Sequence, residues 1–79
     1  MRLDKFLKVS RLIKRRTVAN EACDTGRVSV NGRVVKAGYK VKVGDRIEIS
    51  MGARTVAVEV LQVAEAVRKD DASAMYKEV

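Results

Sequence analysis

Gly26-Arg27-Val28-Ser29-Val30-Asn31-Gly32-Arg33-Val34-Val35 is the stretch in which the chain changes its hydrophobic period. Upstream, apolar residues recur at steps of three and four; here Val28 and Val30 alternate with Ser29, the period of a strand. Asn31-Gly32 suits the two left-handed residues of a type I′ turn, so Arg33-Val34-Val35 is expected to return as the second arm of a hairpin. Gly26 stands where a helix ending in the left-handed conformation puts its glycine. Reading back from it, Val18 with Ala22 and Ala19 with Cys23 are spaced i, i+4, which predicts a helix over residues 16–24. Thr17 is the nearby side-chain candidate for its cap.

Further back, Leu3, Phe6 and Leu7, then Leu12 and Ile13, follow helical spacing, while Arg2, Lys5, Lys8 and Arg11 step by three around the other side. This predicts an amphipathic helix with a basic face. Forward of the hairpin, Val41, Val43, a Gly44-Asp45 turn, Ile47 and Ile49 lead into a further strand. A loop at Met51-Gly52 follows, and residues 55–63 alternate with Val56, Val58 and Val60 on one side. Two helices followed by several short strands read as α+β, a two-helix hairpin packed on a small antiparallel β-sheet. Residues 64–79 carry a net charge of −1 and no sustained apolar pattern. They are expected as a frayed helix or disordered tail beyond a domain of residues 1–63.

At 79 residues the chain has room for one small core. Its formal charge is +7, and residues 1–16 alone carry +6 through Arg2, Lys5, Lys8, Arg11, Lys14, Arg15 and Arg16 against Asp4. Such a field selects polyanions, nucleic acid first. Arg54, ahead of the last alternating strand, is expected to lie away from this basic face. Histidine is absent and Cys23 is the one cysteine, which excludes disulfide frameworks within the chain and the usual Cys/His zinc sites. No uninterrupted apolar run exceeds three residues, so neither a membrane span nor a signal segment can be drawn, and a cytoplasmic protein is expected. A basic amphipathic helix also suits a membrane surface, but Leu3, Phe6 and Leu7 are needed to cover the valine face of the sheet.

Catalysis lacks its usual instruments. Histidine, the side chain whose unperturbed pKa lies nearest neutrality, is missing, and Cys23, on the apolar side of the second helix with no histidine to activate it, reads as a core thiol. The acids Asp4, Glu21, Asp24, Asp45, Glu48 and Glu59 are scattered without metal-ligand spacing. The five glycines, six to eight residues apart, are turn residues rather than a phosphate loop. No enzyme, metal or cofactor is expected. Asp4 interrupts the basic helix, and two accounts of it stand side by side: interaction with the helix dipole, or a hold on an arginine such as Arg16 across the helix pair.

Taken in order, Arg2-Leu3-Asp4-Lys5-Phe6-Leu7, Arg16-Thr17-Val18-Ala19, Gly26 to Gly32 and Val43-Gly44-Asp45-Arg46-Ile47-Glu48-Ile49 resemble the alpha-L RNA-binding motif, the domain type named for ribosomal protein S-four. The resemblance covers residues 1 to about 50. It implies two helices laid on a small antiparallel sheet, with RNA held along the two-helix face and its basic flank. Arg15 departs from the pattern, standing where a small capping residue is common. The continuation Lys8 to Arg16 is similar to small quality-control and heat-shock RNA-binding members of this family. That likeness implies binding to a large ribosomal subunit carrying an obstructed peptidyl-tRNA, contact with its ribosomal RNA and P-site tRNA, and a role in C-terminal tailing beside other quality-control factors.

The resulting expectation is a non-enzymatic RNA-binding factor, monomeric when free. Arg2, Lys5, Arg11, Arg15 and Arg16 are its main contacts, with Thr17 as a polar helper, Lys8 and Lys14 as secondary ones and Asp4 within the site. The alternatives are an RNA-targeting module for a separate RNA-modifying enzyme, or a basic protein-interaction module.

Overall fold

Two short helices and five strands frame the fold in a computed structural model that describes residues 1–64 and 67–79. Helix α1, Leu3–Val9, buries Leu3, Phe6 and Leu7 and is shorter than the apolar spacing suggested. Its end is closed locally. The Ser10 amide donates to the Phe6 carbonyl at 2.9 Å and the Ser10 hydroxyl to the Leu7 carbonyl at 3.3 Å. Arg11 then takes a left-handed φ of 63°, so Leu12 and Ile13 leave the helix and fold back under it, the Ile13 amide bonding the Leu7 carbonyl at 3.1 Å. Their helical spacing was thus a property of the sequence and not of one helix; loop residues fill the core beside it.

Helix α2, Arg16–Asp24, has the bounds its spacing predicted. Ala19, Ala22 and Cys23 are buried, whereas Val18, expected on the same apolar side, remains 49% exposed. Thr17 lies inside the first turn; the N-cap is Arg15, in extended conformation with no side-chain cap bond. At the other end Gly26 adopts φ 78° and its amide reaches the Cys23 carbonyl at 3.1 Å, while Arg27 N–H reaches Ala22 at 2.9 Å. These bonds satisfy the last carbonyls of the helix and aim the chain into the sheet.

Strands β1, Val28–Val30, and β2, Arg33–Val34, form the hairpin, with both turn residues at positive φ, Asn31 at 53° and Gly32 at 84°. The return arm ends at Val34, one residue short of the sequence reading. Strands β3, Arg46–Met51, and β4, Arg54–Val60, pair over six positions, and the sheet runs β2-β1-β3-β4-β5, antiparallel throughout. Its inner face presents Val28, Val30, Ile47, Ile49, Val58 and Val60, all buried beneath the helices. Burying such a face supplies most of the stability of a domain this small. The loop before β3 straps α1 down: Leu3 N–H bonds Tyr39 O at 2.7 Å and Val41 N–H bonds Met1 O at 2.9 Å.

Residues 67–79 correct the expectation of a frayed or disordered tail. A 3-10 helix, Lys69–Met75, leads into β5, Tyr76–Glu78, which pairs with β4 through Val58↔Glu78, Glu59↔Lys77 and Val60↔Tyr76. Ala72 and Met75 are buried, and the amides of Leu61 and Gln62 both bond the Met75 carbonyl, at 2.8 and 3.2 Å. Two apolar side chains and a free strand edge suffice to order the segment, although neither makes a periodic pattern. The boundary drawn at residues 63 and 64 adjoins residues 65 and 66, outside the described residues.

Candidate RNA-binding surface

The two helix starts meet around one carboxylate. Asp4, in the first turn of α1, has a side chain only 3% exposed. Its Oδ1 accepts from the Lys5 amide at 2.8 Å and from Arg2 Nε at 3.2 Å. Its Oδ2 accepts from Asn20 Nδ2 at 3.2 Å, from Arg16 Nε at 3.4 Å and from Arg2 Nη2 at 3.5 Å. Burial pushes the carboxyl pKa up, but the Asn20 hydrogen bond, the hydrogen bond and charge of Arg16 and the Lys5 amide outweigh it, so the net displacement is downward and Asp4 is ionised at neutral pH. Both accounts of Asp4 have their geometry here: it sits in the first turn of α1 on the Lys5 amide, and it holds Arg16 across the helix pair. Burial also means that Asp4 offers RNA no exposed surface of its own; it works through the arginines.

Arg2 is tied to Asp4 through two nitrogens and Arg16 through one, and each keeps about half of its side chain in solvent, 54% and 48% respectively. A guanidinium is a planar fork of five donors, so anchoring one or two of its nitrogens leaves an oriented, charged edge outward. Beside Arg16 lies an open hollow lined by Asp4, Arg16, Thr17 and Asn20. Asn20 escaped the sequence reading; its one signal is position, four residues after Arg16 on the same helix face.

The remaining residues divide. Lys8 is exposed in the last turn of α1, and Arg15 is exposed as the cap residue of α2, flanking Arg16. Lys5 sits on α1 with its amide on Asp4. Arg11 and Lys14, read as part of the same face, instead line a groove with Val18 and Ala22, on the flank of α2 away from Arg16 and Asn20. The early end of α1 is what separates them. Arg54 opens β4 and borders a hollow that also contains Arg11, so it is not remote from the basic residues as its position in the sequence suggested. Cys23 is a buried free thiol, its pKa pushed up to about 11 by burial and by the charges of Asp4 and Asp24. Among the described residues no group of His, Cys, Asp and Glu could hold a metal ion, and no helix is long and apolar enough to cross a membrane.

A two-helix face carrying oriented arginines over a five-stranded sheet defines a class, and the S4 domain family matches residues 1–47. The fold matches the trimeric structure of Vibrio cholerae Heat Shock Protein 15 with a TM-score of 0.93 at 28% identity, over 100% of this chain and 81% of that one. Two proteins named RQC P-site tRNA stabilizing factor are similar over nearly the whole chain. That of Halalkalibacterium halodurans is 60% identical over 98% of this chain and 88% of its own length. The Bacillus subtilis protein is 51% identical over 96% of this chain and 88% of its own. The chain therefore belongs to the S4-domain family and, within it, to that of the RQC P-site tRNA stabilizing factors.

Proposed function

We propose that this chain is a non-enzymatic, cytoplasmic RNA-binding factor that holds the P-site tRNA on a large ribosomal subunit carrying an obstructed peptidyl-tRNA, during ribosome-associated quality control and C-terminal tailing. The observation that carries the reading is the pair of half-exposed arginines, Arg2 and Arg16, anchored on one buried carboxylate at the helix face of an S4 fold. The names of its relatives supply the ribosomal setting. Lys5, Lys8 and Arg15 add charge around this pair, with Thr17 as a polar neighbour, while Arg11 and Lys14 extend the basic surface along the other flank of α2. The mechanism is positional: a basic body that neutralises phosphates of ribosomal RNA and tRNA together holds one against the other while further factors act.

Sedimentation of purified variants with large subunits at one salt concentration tests it. Arg16→Ala removes an oriented charged donor and is expected to lose about 1 to 3 kcal/mol of binding. Arg33→Ala, which removes the same charge from the far hairpin, is expected to lose much less. Equal losses would mean that net charge alone is read, and unchanged binding by Arg16→Ala would overturn the assignment of this face.

A further inference from the structure

The groove on the other flank of α2 remains without a role in this reading. It encloses about 360 Å³, with Arg11, Lys14 and Arg27 at its rim and Leu12, Val18 and Met51 among its apolar lining. An adjoining hollow of about 450 Å³ shares Arg11, Leu12 and Met51 and adds Arg54, Val56 and Tyr76. Val18 is 49% and Met51 44% exposed, apolar surface left open in a chain with little to spare. Four cations therefore border a partly apolar trough, with Glu78, at the end of the second hollow, as the acid among its described lining residues.

We propose that this groove is a second RNA-contact site that accepts an unstacked nucleotide, with Arg27 and Arg54 as contacts beyond the helix-start face. It rests on the RNA-binding reading above and adds to it the second point of attachment that bridging two RNA segments requires. Three observations carry it. First, the cations select a polyanion, while an apolar lining beside flat guanidinium groups suits the face of a base; an unstacked nucleotide supplies both. Second, the residues are held in place by the fold. Arg27 is fixed between helix and sheet, its N–H on the Ala22 carbonyl at 2.9 Å and its carbonyl accepting from Ser50 N–H at 2.8 Å, and Arg54 stands opposite Met51 in the β3–β4 register. Arg11 holds its rim position with a φ of 63°, a conformation unfavourable to an L-residue. Third, the groove and the Asp4 hollow have no lining residue in common and lie on different flanks of one helix, so two RNA segments can be held at once.

The chain contains no tryptophan, so Met51→Trp places a single indole, excited apart from the two tyrosines, in the groove. Titrating this full-length variant with a single-stranded oligouridine RNA is expected to quench Trp fluorescence saturably. In the Met51 background, the double variant Arg27→Ala, Arg54→Ala is expected to bind the same RNA about tenfold more weakly. Its slope of log K against log salt should fall by about 1.4, at about 0.7 per lost phosphate contact on a single strand. Arg33→Ala serves as the charge control, and unchanged melting curves by circular dichroism confirm folding. RNA binding without quenching, with the double variant matching Arg33→Ala, would overturn the groove and leave the helix-start face intact. Absence of RNA binding altogether would overturn the groove, and sedimentation of the native chain with large subunits then decides the helix-start face. Quenching by an acidic, leucine-containing peptide that RNA does not displace would assign the groove to a protein partner and overturn the proposal.

Discussion

Asp4→Asn keeps the shape of the side chain and removes its charge, and so isolates what the buried carboxylate does. In the native site both oxygens accept: Oδ1 from Arg2 and the Lys5 amide, Oδ2 from Arg16 and Asn20. An asparagine retains one acceptor and turns an NH2 group toward donors, so one of these pairs faces a like donor. The two arginines are half exposed, which limits each ion pair to surface values of about 0.5 to 1 kcal/mol. The bonds from Asn20 and the Lys5 amide are made to a buried charge and are worth about 1.5 kcal/mol or more each, of which the variant loses one in full. Together the loss comes to about 2 to 4 kcal/mol, a large part of the stability of a small domain. Urea denaturation followed by circular dichroism at neutral pH measures it. The pH dependence supplies a second check. The folded carboxyl titrates below its ordinary value of 3.8, so its stabilisation is complete above that value and lost as pH falls through the lower folded pKa. The gap between native protein and Asp4→Asn should therefore stay constant above about pH 5 and narrow only below about pH 4. A variant that unfolds at the native urea concentration and sediments normally with large subunits would refute the account of Asp4 as the group that orders both arginines.

Other expectations follow from the same contacts. Met75→Ala should destabilise the chain by about 2 to 4 kcal/mol in urea, because Met75 is fully buried at the junction of the 3-10 helix and β5. Deleting residues 64–79 should cost more than that single change by also removing the β5 pairing; an unchanged midpoint for either would detach the C-terminal strand from the fold. Cys23 should resist thiol reagents at pH 8 in the native state and react rapidly in denaturant, since the thiol is buried and its pKa lies near 11; equal rates measured by absorbance would contradict its burial. Arg11→Gly should relieve the left-handed backbone and raise stability by up to about 1 kcal/mol while weakening RNA binding, a divergence that melting and binding curves would reveal together.

What the sequence determined by itself was local. The Asn31-Gly32 turn, the left-handed Gly26 and the i, i+4 pairs of α2 are written in residues that lie next to one another in the chain, and their backbone preferences act before any tertiary contact forms. The alternation of Val56, Val58 and Val60 likewise chose the buried face of β4. Tertiary structure decided what depends on which surfaces meet. Leu12 and Ile13 share the spacing of α1, but a hydroxyl bond and one left-handed residue end the helix before them, and that turn carries Arg11 and Lys14 away from Arg16. Asp4 becomes buried, and Asn20 becomes its partner sixteen positions along the chain, only because α2 docks against α1. The last strand has no pattern of its own to announce it, since an edge strand needs only the open hydrogen bonds of β4 and a few buried side chains such as Met75, and both are supplied by parts of the chain far from it in sequence.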